Sequence, residues 1–170
     1  RLRARTTACG DPITLLDQDR SRWDGLLIAR GLVALERAGR FDAALGPYAL
    51  QASIVACHAR ATEAAATDWQ NIVALYDALA ELVPSPVVDL NRAVAIGMAY
   101  GPQAALEIVD ALAGEPSMQT YHLVHSARGD LLLKLGRSGE ARAAFDRAAH
   151  LTRNAREREL LLRRARSIAG

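Results

Sequence analysis

Three groups of side chains in this sequence have the types and spacing to do chemistry. The densest is LLDQDRSRWDGLL, Leu15 to Leu27, where Asp17, Gln18, Asp19, Arg20, Ser21, Arg22, Trp23 and Asp24 stand between two apolar pairs. Carboxylates and guanidinium groups this close together can run acid–base steps, hold a charged ligand or begin a helix. The second group is His122 and His125 in YHLVHSARGD. Three residues apart on a helix, both imidazoles share a face, as a pair of metal ligands would. Further ligands are needed, and Asp130 is poorly phased with no Glu near in sequence, so packing or groove-lining roles are the expectation. The third group is Cys57-His58, whose side chains diverge by about 100° on a helix, a poor arrangement for a nucleophile and its base. The chain has no G-x-S-x-G, Walker loop, H-E-x-x-H or paired-cysteine zinc signature. No enzymatic activity is expected, and no catalytic residue, metal or cofactor.

The elements that must position these groups follow from composition and breaks. A chain of 170 residues can bury a sizeable core as one domain. Ordinary hydrophobic content with a formal net charge of +2 argues against disorder. Lys134 is the single lysine beside many arginines, a bias that suggests a GC-rich bacterial genome more than a nucleic-acid surface. Cys9 and Cys57 are expected as thiols in a reducing cytoplasm. No apolar run approaches the roughly 20 residues of a membrane span, and no signal peptide is visible. The opening RLRAR reads like the end of a cut helix, so a fragment of a longer protein is expected.

The leader resists a helical reading. CGDP, Cys9 to Pro12, is a turn signal, and Thr6-Thr7 with Ile13 to Leu16 could form a short hairpin. Downstream, helical periodicity predicts helices over Arg22–Ala38, Tyr48–Arg60, Trp69–Val83, Val87–Tyr100, Pro102–Ala113, Met118–Leu135, Gly139–Leu151 and Ala155–Ile168. Gly39, Gly46-Pro47, Pro84-Ser85-Pro86, Gly101, Gly114 with Pro116, Gly136 and Asn154 mark breaks, and ATEAAATD, Ala61 to Asp68, reads as an enlarged loop. Asp68 and Asn154 are expected N-caps, with Glu157 completing a capping box after Asn154.

These helices fall into a degenerate repeat. Gly129, Ala141, Phe145 and Ala148 match Ala93, Ala105, Val109 and Leu112 upstream, and then Arg60, Ile72, Tyr76 and Leu79. Small residues let helices approach closely, and the Tyr76/Val109/Phe145 column fills the groove between them. The pattern resembles the tetratricopeptide repeat (TPR). An all-α, TPR-like stack of helical hairpins over residues 22–170 is therefore expected, following a leader or junction over residues 1–21. In PSPVVDLNRAVA, Asn91 and Arg92 either face the concave groove of such a stack, or Asn91 satisfies the backbone of the Pro84-Ser85-Pro86 turn. The Arg-rich face of the last helix reads as solvated.

The segments LLDQDRSRWD, YALQASIVACHA, TDWQNIVALYDAL, PSPVVDLNRAVA, YHLVHSARGDLL and LGRSGEARAAFDRAA, in this order, carry a more specific resemblance. Together they resemble the C-terminal extension of one group of extracytoplasmic-function (ECF) RNA polymerase sigma factors, the group linked to DGPF/YCII-related genes. The resemblance implies a cytoplasmic regulatory domain in transcription initiation, whose partners are the sigma regions of the same chain and RNA polymerase core. It implies no membrane partner, and the DNA-binding sigma regions are absent here, so no direct DNA contact is carried over. A free-standing TPR-like scaffold, binding a peptide or small ligand in its groove, is the alternative.

Within the signature, Ser21 and Asp24 have the spacing of a capping box for a helix over Arg22–Ala38. Leu26, Leu27, Val33 and Leu35 would lie near one stripe of it, with Trp23 covering the seam to the next helix. Asp17, Asp19, Arg20 and Arg22 can form a local ion-pair lattice, each surface pair contributing about 0–1 kcal/mol. A cap alone does not require Asp17, Gln18, Asp19 and Arg20. Two readings stay open: a structural junction that locks the leader onto the repeats, or a contact surface for the sigma regions or a ligand. Asp17 to Trp23, with Asn91, Arg92, His122 and His125, are the interaction candidates.

Overall fold

A computed structural model describes residues 4–8, 10, 12–40 and 46–168. The described residues form eight α-helices and no strand, so the chain is all-α as its periodicity predicts. They divide into two compact units, Arg1–Val88 and Asp89–Gly170.

In the first unit the leader makes one isolated antiparallel bridge, Thr6 to Pro12, supported by the Ile13 amide donating to the Arg5 carbonyl at 2.8 Å. Among the described residues the expected hairpin shows no further bridge, and Pro12 itself has no N–H to add to the ladder. Cys9 and Asp11 lie outside the described residues. A 3-10 turn over Arg20–Arg22 follows, and then helix α1, Gly25–Gly39. This corrects the expected start at Arg22. Asp24 is the N-cap, its Oδ1 accepting from the Leu27 amide at 3.0 Å, while Ser21 belongs to the 3-10 turn. Helix α2 spans Pro47–Arg60 with proline in its first turn, where its missing N–H costs nothing. Helix α3, Trp69–Leu82, starts at Asp68, which accepts from the Asn71 amide as expected. The unit's core gathers Trp23, Leu50, Ile54, Cys57, Ile72, Val73 and Leu79.

The second unit is built from most of α4 (Pro86–Ala99), with α5 (Pro102–Gly114), α6 (His122–Lys134), α7 (Ser138–Leu151) and α8 (Ala155–Ser167). α5 packs on α6, α6 on α7, and α7 on α8. Its core includes Ala93, Ala105, Val109, Leu112, Ala141, Phe145 and Ala148, all residues of the repeat columns. Gly129 is buried on α6 beneath Phe145, and a Cβ added there would lie 2.7 Å from ring carbon Cε1. The small-residue column therefore exists to admit the aromatic one. Gly136 turns α6 into α7 at φ +74°, a conformation that L side chains rarely adopt. In the weakest copy, Ile72 and Leu79 are buried, Tyr76 is half-buried and Arg60 is exposed.

Candidate interaction surface

The DQDRSRWD segment is held in place by its own side chains. Asp19 Oδ1 accepts from the Ser21 amide at 3.0 Å and from the Ser21 hydroxyl at 2.6 Å, closing the 3-10 turn. These hydrogen bonds, with the Arg22 charge nearby, hold the Asp19 carboxyl below the usual carboxylate range. Asp17 accepts from the Thr14 hydroxyl at 2.6 Å, and the half-buried Gln18 donates to the Ile13 carbonyl at 3.3 Å. Asp17, Asp19, Ser21 and Arg22 are exposed, and Trp23 is buried.

Arg20 crosses to the next helix pair. Its Nη1 donates to the carbonyl oxygens of His58 and Ala61, both at 2.7 Å, and Nη2 donates to Thr67 Oγ1 at 3.1 Å. Residues 58 and 61 lie at the C-terminal end of α2, where carbonyls lack intrahelical partners and the helix dipole favours a cation. Thr67 precedes the cap of α3. One guanidinium thus closes α2 and ties the α2–α3 connection to the leader. Its carbon also sits 5.0 Å from the Trp23 ring centroid, within cation–π range. Partial burial lowers the Arg20 pKa, but the group stays cationic. Arg20, Trp23 and Gln18 face inward, and the signature divides between a junction side and an exposed side.

The α2–α3 connection also frames a cavity of about 250 Å³ lined by Cys57, Arg60, Ala61, Thr62, Ala66, Asp68 and Asn71. Cys57 is a free, buried thiol, and Asn71 Nδ2 donates to its sulfur at 3.5 Å. Burial, and then the Asp68 charge, push the thiol pKa up, which does not suit a nucleophile. The ring of His58 packs edge-on to Trp69 with centroids 5.1 Å apart, so Cys57 and His58 have separate surroundings.

In the second unit His122 and His125 have different partners. His122 Nε2 donates to Glu157 Oε1 at 3.1 Å, whereas His125 Nε2 donates to the Gln119 carbonyl at 3.0 Å. Among the described residues no three His, Cys, Asp or Glu side chains are grouped to hold a metal. Glu157 also accepts from Thr152 Oγ1 at 2.5 Å. The expected capping box is therefore half realised: Asn154 accepts from the amides of Arg156 and Glu157, but Glu157 turns to Thr152 and His122. Asn91 is exposed on α4, so it is not the buried partner of the Pro84 turn, and Arg92 is half-buried.

Two arrangements carried no signal in the sequence. Arg158 repeats the role of Arg20, donating to the Ala149 carbonyl at 3.2 Å and the Thr152 carbonyl at 2.8 Å at the end of α7. Arg164 pairs with Asp130 and lies over the Phe145 ring, 4.3 Å from its centroid.

Residues 1–39, which hold the signature and α1, match the model of a family described as "Family of unknown function (DUF6596)". An uncharacterized protein of Rhizobium meliloti (strain 1021) is 49% identical over 157 residues, covering 92% of this chain. The matched part is 36% of that relative's length, so the chain spans about a third of it. No solved structure matches. No helix among the described residues is long and apolar enough to cross a membrane.

Proposed function

We propose that this chain is the C-terminal regulatory domain of an ECF sigma factor, a protein-interaction module that acts on the sigma regions of its own polypeptide in the cytoplasm. The observation that carries this reading is the family match over residues 1–39, since that family is in general found at the C-terminus of ECF sigma factors. The resemblance of the ordered motifs through Ala149 supports it, as does a relative almost three times longer than the matched part. The described geometry fits a binding role better than a catalytic one. The Cys57 thiol is shielded, and the two histidines diverge to a carboxylate and a backbone carbonyl.

The module's leader and α1 form the contact side, and the Arg20 clamp fixes them on the α2–α3 pair. A titration of purified sigma regions against this chain tests the reading. Saturable binding, weakened by Arg22→Glu at unchanged melting temperature because Arg22 is exposed, is the expected result. Absence of binding, or of any sigma region in the natural polypeptide, would overturn it.

A further inference from the structure

Among the eight described helices, only α1 contains no buried residue. Ile28, Leu32 and Leu35 are half-buried and share one side, since residues three, four and seven apart recur on a face. The opposite side carries large apolar residues as well. Leu26 is 63% exposed, Leu27 63% and Val33 55%, and Ala34 is exposed beside them. Large apolar side chains left exposed together on a helix are suited to being covered by a partner.

The spacing on the outer side is that of a docking ridge. Leu26, Arg30, Val33 and Arg37 stand at i, i+4, i+7 and i+11, so two apolar anchors alternate with two exposed guanidinium groups. The acidic residue of the helix, Glu36, pairs with Arg40 at 2.7 Å. The charges decide what can cover the ridge. A second copy packing α1 on α1 would set Arg30 and Arg37 against their like, which disfavours self-association. Nucleic acid would meet the arginines but leave Leu26, Leu27 and Val33 uncovered, because phosphates offer apolar side chains nothing. An amphipathic helix with leucine-type residues along its ridge and Asp or Glu beside them satisfies both features.

We infer that the outer face of α1 docks an acidic amphipathic helix, seating apolar residues on Leu26 and Val33 and pairing carboxylates with Arg30 and Arg37. The sigma regions of the same polypeptide supply that helix. This assignment of the donor rests on the sigma-factor reading above, whereas the chemistry of the surface does not.

The test uses the 170-residue chain and two synthetic helical peptides, both with Leu at i, i+4, i+7 and i+11. One is flanked by Glu and the other by Lys. Fluorescence anisotropy is expected to show the Glu peptide binding at least about tenfold more tightly than the Lys peptide, the difference shrinking in high salt. Leu26→Ser with Val33→Ser is expected to abolish binding, and Arg30→Glu with Arg37→Glu to reverse the preference. Circular dichroism checks that both variants stay folded. Equal affinities, indifference to both double variants, or tighter binding of duplex DNA than of the Glu peptide would overturn the inference, as would a dimer dispersed by Leu26→Ser with Val33→Ser. If the Glu peptide binds but purified sigma regions do not compete for it, the surface stands and the sigma-factor reading falls.

Discussion

The guanidinium of Arg20 donates to the carbonyl oxygen of His58 at 2.7 Å, across 38 residues of chain. The same nitrogen reaches the Ala61 carbonyl, and its neighbour reaches Thr67. Three oxygens, two at the end of α2 and one just before α3, thus converge on one cation from the leader. Hydrogen bonds from a charged donor contribute about 1.5–3 kcal/mol each before the losses of partial exposure. Arg20→Ala is therefore expected to destabilise the fold by roughly 2–4 kcal/mol in urea unfolding. Arg20→Lys should recover less than half of that, because an ammonium lacks the planar fork that spans the acceptors. A loss below about 0.5 kcal/mol for Arg20→Ala, the range of ordinary surface changes, would show that the clamp is ornamental.

Gly129 meets Phe145 in the second unit. An added methyl would lie 2.7 Å from the ring, which is itself fully buried and covered by Arg164. Alanine gains about 1 kcal/mol of helix propensity over glycine but forces overpacking that costs about 1–3 kcal/mol. Gly129→Ala should thus lower the melting temperature, and Gly129→Ala combined with Phe145→Leu should recover part of it. A Gly129→Ala protein more stable than the parent would mean that the column tolerates separation.

Asp19 gives the acid limb of stability a sign. Its folded pKa lies below the ordinary carboxylate value, chiefly through the Ser21 hydrogen bonds. Its stabilisation is therefore fully present above the unfolded pKa of about 3.9 and is lost as pH falls through the lower folded value. Asp19→Asn should be less stable than the parent at neutral pH, and the difference should narrow below that window. Urea midpoints measured from neutral pH into the acid range check this. A gap that widens on acidification would contradict the assignment.

Much of this fold is legible in the sequence because its punctuation is local. Gly101, Gly136 and the prolines opening α2, α4 and α5 lie at or beside the observed ends, and Asp68 and Asn154 cap where their spacing indicates. The repeat columns are legible for a different reason: a close approach demands small residues at fixed intervals, as Gly129 and Ala141 show. What escapes is decided by competing or distant partners. Ser21 and Asp24 are both good caps, and Asp24 takes the role because Asp19 holds the Ser21 amide and hydroxyl in a 3-10 turn. Nothing local to Arg20 names the carbonyls of His58 and Ala61 as its acceptors. The stripe expected of α1 fails by phase. Leu26 and Val33 share one side, but Leu35 falls on the other with Ile28 and Leu32. Of the candidate site, the sequence marks the signature and its charges, but not which of them turn inward.

The central claim is that this domain controls the sigma regions of its own polypeptide. Run-off transcription with RNA polymerase core measures that most directly, comparing the natural full-length protein with a version lacking these 170 residues. A change of at least about fivefold in promoter-specific transcript is the expected result, reproduced in the full-length protein by Arg30→Glu with Arg37→Glu. Identical transcript yields from all three proteins, or no promoter-specific transcript from any of them, would contradict it.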